Sequence, residues 1–159
     1  MKEFAARVFA AWTYKVNQKW IHNPVVAQSK TFNYLIKKAK NTQFGKDHGF
    51  QQIKNYADFT QKVPISDYEG LRPYIEEIRA GKADVLWPGL PLYFAKTSGT
   101  TSGIKYIPIS KESIPTHIRG ARDAILNYLH HSKKASFLSG KQIFLQGSPV
   151  LKKENGKHR

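Results

Sequence analysis

The sequence contains no cysteine. That absence excludes a disulfide framework, a thiol nucleophile and any zinc site built on thiolates. It agrees with a reducing compartment, and the expected location is cytoplasmic. Acidic residues are scarce, 11 Asp and Glu against 26 Lys and Arg, which leaves a formal net charge of +15. Long apolar runs are missing as well. No stretch approaches the ~18 uninterrupted apolar residues of a membrane span. The N-terminus is not a signal peptide, because Arg7 interrupts its apolar run and Asn17, Gln18 and Lys19 follow. No membrane partner is expected. Adjacent Glu76 and Glu77 point apart on a helix and make a poor acid–base pair. His22, His48, His117, His130, His131 and His158 show no metal-ligand spacing with carboxylates. No metal ligands are expected among these side chains.

What the sequence has in excess is positive charge, unevenly spread. Residues 1–54 carry ten Lys/Arg against two acids, residues 55–104 five against six, and residues 105–159 eleven against three. A basic nucleic-acid-binding module is one reading of such a balance. The cations are dispersed along helical segments without a tight run, however, so solvated helix faces are the better reading and no nucleic acid is expected.

In chain order, Phe4, Val8, Phe9, Trp12, Val16 and Trp20 recur at helical spacing and predict a packing helix over residues 3–21. Asn23-Pro24 starts a second helix reaching Lys40, with Val25, Phe32, Leu35, Ile36 and Ala39 inward. Residues 42–49 read as a loop anchored by Phe44 and Phe50, in which Asp47-His48 makes a structural hydrogen bond. A short helix over 55–62 ends before Pro64. Ser66 and Glu69 have the spacing of a capping box for a helix that carries Tyr68, Leu71, Ile75 and Ile78 on one face and stops at Gly81. Pro73 inside it predicts a kink or a fresh start. Ser110 is placed to cap a long helix from Lys111 to His131 with Ile114, Ile118, Ala121, Ile125 and Tyr128 inward. Gly120 within it suggests close packing or room for a ligand. A polar loop follows, then a buried strand over Gln142–Gln146.

The chemistry concentrates between Tyr93 and Ser110, YFAKTSGTTSGIKYIPIS. Two short β patterns flank Thr97, Ser98, Gly99, Thr100, Thr101, Ser102 and Gly103, and Lys105 closes the turn. Gly99 and Gly103 permit positive φ and close approach of the backbone to a ligand. Consecutive backbone N–H groups in such a turn form a concave anion site, to which the hydroxyls add donors and Lys105 a full charge. The pattern is not a Walker A loop. That motif has four residues between its glycines and Lys-Ser/Thr before a helix, whereas three residues separate Gly99 from Gly103 and Tyr106 follows Lys105.

TSGTTSGIKYIP resembles the phosphate-binding motif of adenylate-forming enzymes. With FGKDHGF at 44–50, VPISDYEGLRPYI at 63–75 and VLWPG at 85–89, the ordered set resembles the auxin-responsive Gretchen Hagen family of acyl-acid amido synthetases, in a bacterial form. The resemblance implies an α/β fold. N-terminal helices, residues 1–84, precede a phosphate-loop hairpin, a long helix and one further strand over 85–159, all as the first part of a large adenylating domain. It implies ATP and Mg2+, a carboxylic acid and an amine or amino acid as substrates, and a ligase activity of the full-length protein. The hairpin residues Thr97–Gly103 and Lys105 would bind the nucleotide, and Arg119 or Arg122 would meet an acyl substrate's carboxylate. Family members are several hundred residues long, so the chain is expected to be an N-terminal fragment, inactive alone, whose partner is the missing C-terminal part of the same polypeptide. Plant relatives often carry more residues between the second glycine and the lysine than the single Ile104 found here. A non-catalytic fragment is the remaining alternative.

Overall fold

The computed structural model of the chain describes residues 2–97, 103–141 and 143. It is mostly helical with one small antiparallel sheet. The order is α1 (Lys2–Ile21), α2 (Pro24–Ala39), α3 (Gln43–Asp47), α4 (Tyr56–Lys62), α5 (Tyr68–Arg79), β1 (Tyr93–Lys96), β2 (Tyr106–Ile109) and α6 (Ile114–Ser132). Two compact units result. Of the described residues, one holds those up to Ala27 together with those after Lys111, the other those from Gln28 to Lys111. The expected strand over 142–146 lies outside the described residues, apart from Ile143, which is not in a strand.

In the first unit α1 packs along α6. Its core is Ala10, Leu126, Leu129 and Ala135, with Ala6 and Phe137 against it. The seam of α1 is therefore its small residues, Ala6, Ala10 and Thr13, which let two helices approach closely. This corrects the expected inward stripe. Phe4, Val8, Phe9, Trp12, Val16 and Trp20 are all exposed, as are Ile118, Ile125 and Tyr128 of α6. Large and small residues of α1 both recur every three to four positions, so periodicity identifies the helix without saying which side is covered. Across the seam Asn17 donates to Asp123 (3.2 Å), and Tyr14 stacks on His130 with ring centroids 4.1 Å apart. Helix α6 starts at Ile114, later than Lys111, because Pro115 has no N–H and is tolerated only in a first turn. It ends at Lys133, which takes a left-handed conformation and donates its N–H to Leu129 (3.0 Å).

The second unit is built on Ile36, Ala39, Phe50 and Ile53, covered by Phe32, Phe44, Phe59, Val63 and Trp87. Val25 and Leu35, expected inside, are exposed. Residues 43–47 form a helical turn instead of a loop. Buried Thr42 caps it, accepting from the Gly45 N–H (3.0 Å) and donating to the Ala39 carbonyl (2.7 Å). Gly45 is required, because a Cβ there would run into the Ala39 carbonyl. The first N–H groups of α3 are satisfied from elsewhere in the chain: Gln43 donates to the Asp84 carbonyl (2.8 Å) and Phe44 to the Val85 carbonyl (3.0 Å). Asp84 in turn accepts the Gly89 N–H through its carboxylate (2.7 Å), closing the VLWPG turn over fully buried Val85.

Helix α5 buries Ile75 and Ile78 as its spacing predicts. Its cap is Asp67, which accepts from the Gly70 N–H (3.0 Å), and the Ser66–Glu69 capping box does not form. Glu69 pairs instead with Arg72 (2.9 Å), one turn on. The helix continues across Pro73 with no fresh start. Gly81, at φ 97°, ends it in a Schellman arrangement: its N–H reaches Ile78 (2.9 Å) and that of Lys82 reaches Glu77 (3.0 Å). The Glu77 carboxylate also accepts from Lys82 and from Gln43 (3.1 Å), so it ties α5 to α3 and is more than solvated; these hydrogen bonds hold its pKa below the usual value.

Candidate functional site

The strands β1 and β2 pair from Tyr93 opposite Ile109 to Lys96 opposite Tyr106. The next pair out is Thr97 and Lys105. The Thr97 N–H donates to the Lys105 carbonyl (3.0 Å), and the Lys105 N–H reaches the Thr97 hydroxyl (3.3 Å). These two residues form the mouth of the hairpin loop. Gly103, at φ 78°, stands beside them with open space where a Cβ would project. Ser98, Gly99, Thr100, Thr101 and Ser102 lie outside the described residues.

The mouth is seated on α5 by an aromatic residue that sequence reading assigned only to an apolar face. The Tyr68 hydroxyl accepts the Tyr106 N–H (2.9 Å), and the Lys105 ammonium lies 5.5 Å from the centre of the Tyr68 ring. Arg72 approaches the same ring at 5.8 Å. Arg79, the last residue of α5, stacks on Tyr106 at 3.9 Å while its guanidinium donates to both oxygens of Glu76 (2.9 Å each). The available signal was position: Tyr68 opens a capped helix, where a ring can lean outward over a neighbouring strand.

An aromatic ring holds a cation by its quadrupole and leaves the net charge intact. A carboxylate would cancel it. Among the described residues Lys105 makes no ion pair, so half-buried Lys105 presents a positioned, uncompensated charge at the loop mouth. A left-handed glycine and a threonine hydroxyl stand alongside it.

The other candidates sit elsewhere. Arg119 and Arg122 are on α6, in the first unit. Arg122 forks on Asp123 through Nε (2.8 Å) and a terminal nitrogen (2.6 Å), and lies 5.9 Å from the Phe9 ring. Burial works against ionisation of Asp123, but the hydrogen bonds from Arg122 and Asn17 and the nearby charges of Arg122 and Arg119 outweigh it and lower its pKa. Gly120 faces open space, so close packing does not explain it among the described residues. Asp47 and His48 part company. Asp47 accepts from Tyr74 (2.9 Å), whose hydroxyl pKa is raised by burial and by that bond; His48 stacks on Phe44 at 4.0 Å and contacts its carbonyl (2.9 Å). Among the described residues no group of three or more His, Cys, Asp or Glu stands together as a metal site, and no helix is long and apolar enough to cross a membrane.

The sequence profile of the GH3 family N-terminal domain matches residues 14–149. The chain belongs to the GH3 family. One relative is the indole-3-acetic acid-amido synthetase GH3.2 of Arabidopsis thaliana, 28% identical over 102 residues, which are 63% of this chain and 19% of that enzyme. The chain thus spans about a fifth of the length of the GH3 relative it matches. No solved structure matches it.

Proposed function

We propose that this chain, as part of a GH3 polypeptide, supplies the phosphate-gripping hairpin for ATP-dependent adenylation of a carboxylic acid, after which the acyl group passes to an amine or amino acid. The observation that carries this reading is Lys105, seated on Tyr68 without a carboxylate partner among the described residues, at the mouth of a glycine–hydroxyl loop, in a chain of a family one of whose members is named an amido synthetase.

A carboxylate resists an amine because it is anionic and would have to expel oxide. Attack of its oxygen on the α-phosphorus of ATP breaks the bond to the β,γ-diphosphate, forms an acyl adenylate and releases pyrophosphate. The amine then attacks the acyl carbon, loses a proton and expels AMP. Neither step demands a covalent nucleophile from the protein. Both demand alignment and stabilisation of charge on the leaving group. In this reading the loop's backbone N–H groups and hydroxyls, Thr97 and Ser98–Ser102, cradle the phosphates. Gly99 and Gly103 let the backbone come close, and Lys105 meets the charge that develops on pyrophosphate. Mg2+ enters as MgATP, part of the substrate. Thr97, Gly103 and Lys105 suit an anion and not a divalent cation, so no residue is assigned to the metal. Arg119 or Arg122 would receive the substrate carboxylate, and Arg122 must then exchange its Asp123 partner.

The test is acid-dependent ATP–pyrophosphate exchange by a fusion of this chain to the part of the Arabidopsis relative that follows the aligned segment. The fusion is expected to exchange, and Lys105→Ala to lower the rate about a hundredfold, the typical loss of one charge-stabilising donor. Exchange unaffected by Lys105→Ala contradicts the reading. The 159-residue chain alone is expected to show none.

A further inference from the structure

The outer side of α1 is an unexplained apolar surface among the described residues. Phe4 (74% exposed), Val8, Trp12 (58%), Val16 and Trp20 (55%) are exposed on it, and Phe9 (42%) flanks the seam, where Arg122 of α6 approaches its ring. Four aromatic side chains of roughly 150–250 Å² each, all more than two-fifths exposed, put several hundred Å² of apolar surface there. Patches of that size on otherwise soluble folds mark interaction sites. Lys15 and Lys19 are exposed on the same side, and α1 carries four cations, Lys2, Arg7, Lys15 and Lys19, against Glu3 alone.

Three observations identify what covers it. The net charge of +15 works against a second copy of the chain. Exposed apolar side chains recur on α6 at Ile118, Ile125 and Tyr128, about a right angle round the helix from its seam with α1, so the covering body must wrap the pair; a flat lipid surface meets one side of it. The segment matched in the relative is 19% of that enzyme, so about four-fifths of a family member lies outside it. We infer that the outer face of α1 is a docking surface for the part of a GH3 polypeptide that follows this segment, and that the docking site there is an apolar hollow with carboxylates opposite Lys15 and Lys19. This inference rests on the GH3 reading of the chain but not on the nucleotide chemistry assigned to the hairpin.

Because the chain has no cysteine, single cysteines report accessibility cleanly. Val8→Cys and Trp12→Cys, with exposed Lys30→Cys on α2 as control, are labelled with a maleimide in the 159-residue chain and in the fusion to the following part of the Arabidopsis relative, and read by peptide mass spectrometry. The α1 positions are expected to label fast in the chain and at least about tenfold more slowly in the fusion, a protection of at least ~1.4 kcal/mol in the opening equilibrium, while Lys30→Cys labels equally in both. Equal labelling of Val8→Cys in both overturns the inference. So does concentration-dependent protection in the chain alone, which would mean a second copy. Protection by vesicles of mixed phosphatidylcholine and phosphatidylglycerol, without protection in the fusion, would mean a lipid surface and also overturns it. Protection without ATP–pyrophosphate exchange sinks only the hairpin chemistry, and exchange without protection sinks only the docking.

Discussion

At the scale of single residues, Thr42 and Tyr68 carry more structure than their neighbours. Thr42 is fully buried, caps α3 and returns its own proton to Ala39. Thr42→Ala strands the Gly45 N–H and removes a cap, so urea unfolding should show a loss of about 1–2 kcal/mol. Thr42→Ser keeps the oxygen and should recover most of it. Tyr68→Phe preserves the ring beneath Lys105 but leaves the Tyr106 N–H without its acceptor. The expected result is a modest fall in stability, about 0.5–1.5 kcal/mol, with the cation still seated. Tyr68→Ala removes both, and a larger fall in nucleotide-dependent activity of the fusion distinguishes the ring's role from the hydroxyl's.

Among elements, the α1–α6 pair carries a pH dependence. Burial against Tyr14, together with Lys133 and His131, lowers the pKa of His130 below its ordinary 6.5. The folded state therefore binds this proton less readily than the unfolded chain. The stabilising contribution is present above pH 6.5 and is lost as the pH falls through the lowered folded value. Melting followed by far-ultraviolet circular dichroism should decline across that window, and His130→Phe should flatten the decline. What was legible in these elements follows from local physics. Pro24, Gly81 and the spacing of Ile75 and Ile78 fix helix ends and a buried face through interactions a few residues apart. The seam of α1 was not legible, because the aromatic stripe outweighs Ala6, Ala10 and Thr13 in any reading of hydrophobic period, and the side that is covered depends on a partner over a hundred residues away. The helical turn at 43–47 was missed for the same reason, since its first N–H groups are satisfied by Asp84 and Val85. The hairpin was readable from two β patterns around a Gly/Ser/Thr turn; its register and the seat of Lys105 on Tyr68 were not, the latter being a tertiary contact.

For the whole molecule, the apolar side chains left outside the two small cores and the membership in a family whose matched relative is about five times longer than the aligned segment converge on one account. In the function proposed above, the chain would supply part of an adenylating domain, and its hairpin would hold the nucleotide's phosphates once the rest of the polypeptide is in place. The measurement that bears on this most directly is acid-dependent ATP–pyrophosphate exchange by the fused polypeptide with Ser98–Ser102 replaced by an alanine–proline linker of equal length. The account predicts that exchange collapses while the fold, followed by circular dichroism, persists. Exchange that continues at the parent rate would contradict it.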